Sequence, residues 1–190
     1  MQTYEFINSK FNCNFRANHE LPVKVYSKKI PANQIITDFG EIERRCYFLR
    51  DGIAQIGTET NKLEYKIIDF LFPYRYFSAY MSFVTQEPST AQIKSITACD
   101  VEYFVYEDLQ EAYVDSLLVN RIGRILTEES FVLKHQREVD FLTKSAKERY
   151  LNLLASYPDI VQKIPIKSIA LYLGIHPESL SRIRKKVAAG

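Results

Sequence analysis

Apolar residues change their period twice along this chain of 190 residues, and the change limits the folds open to it. From about Leu21 to Tyr106 they come in short alternating runs: Val23–Ser27, Gln34–Thr37, Arg45–Leu49, Ile53–Ile56, Leu63–Ile68, Gln92–Ile96 and Val101–Val105. Period two sends successive side chains to opposite faces of a strand. Many short strands at near-regular spacing predict a sandwich, jelly roll or barrel. Asp51-Gly52 between two of the runs predicts a hairpin turn. Phe77 to Val84 is aromatic and does not alternate, which fits one short helix before the turn residues Thr85 to Ser89.

From Glu107 to Leu142 the period lengthens. The stretch has no proline and one glycine, Gly123, and Leu118, Ile122, Ile125, Val132 and Val139 fall roughly on one helical face. Such a helix would be ~30 residues and ~45 Å long. One small domain rarely buries that length, so a partner helix is expected. Glu129 and Gln136 interrupt the stripe, which leaves packing along its own barrel as the alternative.

From Thr143 the helices shorten. Ser145 and Glu148 have capping-box spacing ahead of Tyr150, Leu151, Leu153 and Leu154, and that helix stops before Pro158. The segment Ile166 to Lys186 predicts a helix-turn-helix. Ala170 is small enough for two helices to cross, and Gly174 suits a turn needing positive φ. Ile169, Leu173, Ile175, Leu180 and Ile183 supply buried faces, and Pro177 opens the second helix. That helix leaves Pro177, Glu178, Ser181, Arg182 and Lys185 opposite Leu180 and Ile183. A glutamate there can accept from cytosine N4, and an arginine can fork onto guanine O6 and N7. Arg184, Lys185 and Lys186 would neutralise phosphates. Lys167, Ser168 and Ser179 complete the candidate DNA-contacting set.

Charge supports that placement. The formal net charge is only +2, but residues 144–190 hold nine Lys/Arg against three Asp/Glu, and residues 1–143 hold sixteen against twenty. The basic field therefore sits on the proposed reading unit. Composition excludes other classes. No run approaches the ~18 apolar residues of a membrane span, and the first residues lack a secretory pattern, so a cytoplasmic protein is expected. Cys13, Cys46 and Cys99 form no paired motif, and His19, His135 and His176 are scattered, so no metal site is expected. No phosphate loop or nucleophile elbow is present, so an enzyme is not expected.

Taken with these motifs, the chain from Pro22 to Lys186 resembles the Crp/Fnr family of bacterial transcription regulators. Ser145 to Leu154 is similar to the family's entry into its DNA-binding part, and Gly174 to Ile183 to its turn and recognition helix. Of the family's Arg-Glu-x-x-x-Arg pattern, Glu178 and Arg182 match, and Pro177 replaces the first arginine. The resemblance implies an α+β chain. Residues 1–108 would form an N-terminal double-stranded β-helix (jelly roll) sensor, 109–142 a long dimerisation helix, and 143–190 a C-terminal winged helix-turn-helix. It also implies a homodimer through the long helix, double-stranded DNA and RNA polymerase as partners, and an inverted-repeat operator.

The barrel departs from the family's cyclic-AMP cassette. Phe77-Ser78 stands where Gly-Glu would be, and Ser89 where the closing arginine would be. Phosphate binding needs a cation and approachable N–H groups, so the usual cyclic-AMP response is not expected. Arg75, Tyr76, Phe77, Ser78, Tyr80, Ser89 and Thr90 mark a candidate effector pocket, which the dense aromatics would either line or fill. The family's iron–sulfur branch needs clustered N-terminal cysteines, and Cys13 stands alone, so no cluster is expected and any effector stays unidentified. The competing reading is a ligand-binding or enzymatic jelly roll whose C-terminal helices only mediate protein contacts. A further alternative is an effector-independent regulator.

Overall fold

Eight strands form where the alternating runs stand, and they build two four-stranded antiparallel sheets. The strands are β1 (Tyr26–Ile30), β2 (Ile35–Thr37), β3 (Arg45–Asp51), β4 (Ala54–Glu59), β5 (Tyr65–Leu71), β6 (Tyr76–Phe77), β7 (Ala91–Ser95) and β8 (Cys99–Val105). One sheet has the order β1-β8-β3-β6 and the other β2-β7-β4-β5. The computed structural model describes residues 1–188; the last two residues of the expected 143–190 unit lie outside the described residues. The two sheets enclose Ile30, Tyr47, Leu49, Ala54, Leu71, Phe77, Ile93 and Val101. This is the expected jelly roll.

Asp51-Gly52 corrects one expectation. It joins β3 to β4, but these strands lie in different sheets, so the turn is a crossover and not a hairpin. Gly52 has φ +94, and a Cβ there would stand 2.8 Å from the Cys99 Cα. Only glycine lets the chain pass from sheet to sheet this close to the neighbouring backbone. The true hairpin is β4–β5. The first strand also begins later than the alternation suggested, at Tyr26, with Leu21 and Val23 buried ahead of it.

The helices are α1 (Thr3–Phe11), α2 (Tyr80–Thr85), α3 (Tyr106–Asp115), α4 (Leu117–Thr143), α5 (Ala146–Ser156), α6 (Ile160–Lys163), α7 (Ile166–Leu173) and α8 (Pro177–Ala188). The expected 109–142 helix is thus two helices. Ser116 leaves the helical region (φ −132, ψ 110), and its side chain accepts from the Val119 N–H. A serine that caps the next helix ends the one before it. The apolar stripe also divides. Ile122 is buried beneath α1 and Leu118 half-buried there, whereas Val132, Val139 and the flanking Phe131, Leu133 and Leu142 are exposed. Helix α1 and the connection after it had no counterpart in the sequence reading, and they cover the outer side of the first sheet.

The C-terminal helices do not stand apart from the barrel. Tyr150, Leu153, Ile160, Ile164, Ile169, Ala170, Leu173 and Leu180 share one apolar cluster with Ile53, Ile67 and Phe70. Phe70 stacks on Tyr172 with ring centroids 4.9 Å apart, and Phe72 on Tyr157 at 3.7 Å. The expected wing would need strands after α8. Among the described residues none follows Val105, because the basic run Arg184–Lys186 continues the helix.

Candidate nucleic-acid interface

Helices α7 and α8 meet as the sequence predicts. Ala170 is fully buried at the crossing, between Ile169 and Leu173 on its own helix and Leu180 on α8. Gly174 takes the left-handed conformation (φ 70, ψ 30), its N–H returns to the Ala170 and Leu171 carbonyls, and the Phe141 ring packs against it. The unit is introduced by a true capping box: the Glu148 N–H donates to Ser145 Oγ, and the Ser145 N–H donates to the Glu148 carboxylate at 2.8 Å.

Helix α8 turns Leu180 inward and leaves Pro177, Glu178, Ser179, Ser181, Arg182, Lys185 and Lys186 exposed. Arg184 is half-buried on the Leu180 side, unlike Arg182, Lys185 and Lys186. Lys167 is exposed on α7, and Ser168 is half-buried. Among the described residues, Lys167, Arg182, Lys185 and Lys186 make no ion pair with a carboxylate. Helix α8 therefore presents cations without ion-pair partners among the described residues, together with one glutamate, on its outward face.

The candidate effector residues do not converge. Tyr76 faces outward, packed against Phe6, Phe48 and Phe104, and burial pushes its phenol well above the ordinary range. Phe77 faces inward and stacks on Tyr47 at 5.0 Å. Arg75 is not free for an anion, since it pairs with Asp69 at 3.2 Å. Ser78 donates to the Arg45 carbonyl, and Ser89 is buried and donates to the Ala91 carbonyl at 2.7 Å. Tyr80 and Thr90 lie on the surface, with the Tyr80 hydroxyl 3.4 Å from Thr127 Oγ1 on α4. The Arg75 guanidinium and the Ser78 and Ser89 hydroxyls, which a phosphate would need, already have partners within the protein.

Comparison with known proteins agrees with this architecture. The cyclic nucleotide-binding domain family matches residues 27–116. No curated protein has a significantly similar sequence. The structure of FixK2 from Bradyrhizobium japonicum superposes with a TM-score of 0.77 at 16% identity, covering 88% of this chain and 86% of that one. The c-di-GMP-responsive global regulator CLP of Xanthomonas campestris gives 0.67 at 15% identity, over 87% of each chain. TTHA1359, a CRP/FNR-family transcriptional regulator from Thermus thermophilus, gives 0.66 at 13% identity, over 86% of each.

Residues 27–116 match the cyclic nucleotide-binding domain family, and the chain has the fold of Crp/Fnr-family regulators.

Within that Crp/Fnr fold, two arginines that sequence reasoning missed tie the α7–α8 unit to the rest. Arg137 of α4 donates to the Tyr172 carbonyl at 3.1 Å and to the Ile68 carbonyl of β5, with its guanidinium 3.9 Å above the Tyr172 ring. Arg149 of α5 donates to the carbonyls of Lys144 at 2.6 Å, Leu173 at 2.9 Å and Phe141 at 3.3 Å. Asp69 lies near both Arg75 and Arg137, yet burial pushes its carboxyl up. No sequence motif marks the contacts to α7 and β5, because they link positions 24 to 69 residues apart.

Proposed function

We propose that the protein is a dimeric, sequence-specific DNA-binding transcription regulator that reads an inverted repeat and has no usual cyclic-AMP response. The observation that carries the reading is the exposed face of α8, where Glu178, Arg182 and Lys185 stand opposite the buried Leu180. A helix with this division enters the major groove with donors and acceptors outward. Glu178 and Arg182 are the base readers; Lys167, Ser168, Pro177, Ser179, Ser181, Arg184, Lys185 and Lys186 position the helix on the backbone. Arg182 would discriminate one base pair by ~1–3 kcal/mol.

Dimerisation runs through α4. Ile125, Val132 and Val139 recur every seventh residue, and Leu117, Phe131, Val132 and Leu142 are each more than 60% exposed. An apolar helical face of this extent favours a second helix over water. No helix of the structure is long and apolar enough to cross a membrane. We assign the protein to the cytoplasm, with RNA polymerase as a further partner. The occupied polar groups of Arg75, Ser78 and Ser89 support the absence of ordinary cyclic-AMP binding. Calorimetry should show no micromolar cyclic-AMP binding, and a gel shift on a selected inverted repeat should show binding sensitive to Arg182→Ala. Sequence-indifferent binding untouched by that substitution would reject the reading.

A further inference from the structure

We infer that Arg137 and Arg149 are positioning residues that hold the α7–α8 unit at one angle on α4 and so set the half-site spacing the dimer accepts. The inference rests on the DNA-reading function proposed above, and it deepens that function at a place far from the reading face.

The geometry begins at the C-terminal end of α7. A helix leaves its last carbonyls without intrahelical partners. In α7 the turn returns its N–H groups to Ala170 and Leu171, so Tyr172 and Leu173 keep open carbonyls. Arg137 fills the first and Arg149 the second. Cations at a helix C-terminus are favourable, and a guanidinium offers several donors in a fixed plane. Each arginine uses that plane to bind α7 and a second element at once. Arg137 joins α7 to β5 while standing on α4. Arg149 joins α7 to the last carbonyls of α4 while standing on α5.

Aromatic rings close the joint. Arg137 lies over Tyr172, and Arg149 lies 4.6 Å from the centre of the Phe141 ring, which itself packs on Gly174. The covalent link is short: α4 ends at Thr143, α5 starts at Ala146, and only Lys144 and Ser145 lie between. Apolar contacts such as Phe70 on Tyr172 resist separation but tolerate sliding. Hydrogen bonds from a planar fork are directional, so they resist rotation. The two arginines therefore fix the angle that the apolar cluster leaves soft.

That angle matters in a two-fold dimer. Helix α4 would relate the two copies, so any tilt of α7 is applied twice to the separation of the two α8 helices. One extra base pair moves a half-site by ~3.4 Å and rotates it by ~35°. A stiff joint accepts one spacing; a loosened joint accepts several.

The test uses the full-length protein. Selection from random duplexes defines the half-site for the wild type, and gel shifts then measure affinity across a series of spacers. Arg137→Ala, Arg137→Lys and Arg149→Ala are compared after thermal unfolding has shown that each folds. The wild type should lose affinity by about tenfold for one base pair added or removed, the scale of one poor base-pair contact. Arg137→Ala should flatten that profile to about twofold while leaving binding to a single half-site unchanged. Arg137→Lys keeps the charge but not the fork, and should fall between. A profile unchanged in shape, or a uniform loss at every spacing, would mean the arginines only support the fold and would overturn the inference. A wild type with no inverted-repeat preference would overturn the DNA-reading conclusion first, before any variant is needed, and the inference with it.

Discussion

The backbone N–H of Thr3 donates to the buried carboxylate of Glu102 at 2.7 Å. Thr3 opens α1 and Glu102 stands on β8, so a strand carboxylate caps a helix 99 residues away. The positive end of the helix and Arg50, 3.6 Å from the other carboxylate oxygen, make the buried charge tolerable. The cap holds Phe6 against Phe48 and Tyr76. Glu102→Ala should cost about 2–4 kcal/mol, because it strands the Thr3 N–H and removes a buried partner of Arg50. Glu102→Gln keeps an acceptor and should cost less. Denaturant unfolding checks both, and an Ala variant as stable as the wild type would refute the cap.

Leu180 is fully buried in a cluster shared by α8, α7 and the barrel residues Ile53, Ile67 and Phe70. Leu180→Ala should cost about 2–5 kcal/mol. The shared core also predicts one cooperative unfolding transition for barrel and C-terminal helices together. Calorimetry resolving two transitions in the wild type would contradict that coupling.

Glu43 makes stability depend on pH. Burial pushes its carboxyl above the ordinary 4.5, although Thr37 Oγ1 donates to it at 2.5 Å and the Arg45 N–H at 2.9 Å. A raised carboxyl favours folding while protonated. Its contribution is therefore full below the ordinary value and is lost as pH rises through the raised folded value. Glu43→Gln removes this loss, so the variant should gain on the wild type between about pH 4 and about pH 7. Glu148 has the opposite sign: its hydrogen bonds with Ser145 hold its carboxyl below 4.5, so the cap contributes above that value and weakens as pH falls. Unfolding measured at both pH values should show Glu43→Gln gaining with pH; a gain in the reverse direction would be inconsistent with the burial argument.

Val132 and Val139 share the exposed face of α4. Placing a charge there, as in Val132→Asp, should disfavour a helix pair by several kcal/mol without entering the barrel core. Sedimentation should show a monomer with an unchanged far-UV spectrum. A variant that remains dimeric would place the dimer interface elsewhere.

Where contacts are local, sequence reading reached them. Alternation marked most strands, Ala170 and Gly174 marked the crossing and turn, and Ser145 with Glu148 marked a helix start, because each depends on neighbours a few residues away. Ser116 shows the limit of periodicity: apolar spacing continues through it, while its hydroxyl starts a new helix. Asp51-Gly52 was read correctly as a turn but not as a crossover, since which sheet each strand joins depends on partners across the barrel. Tyr76 and Phe77 are adjacent and were assigned to one pocket, yet strand geometry sends them to opposite faces. Arg137 and Arg149 carried no signal, because their acceptors are backbone carbonyls and any residue provides one.

The most direct test of the central claim is a quantitative selection from random double-stranded DNA, repeated with Arg182→Ala and Lys186→Ala. The recovered motif should be an inverted repeat with half-site centres about one helical turn apart. Arg182→Ala should relax one position in each half-site by ~1–3 kcal/mol, while Lys186→Ala should weaken all sequences alike and lower the salt dependence by about one counterion. Recovery of no symmetric motif, or a motif that Arg182→Ala leaves unaltered, would contradict it.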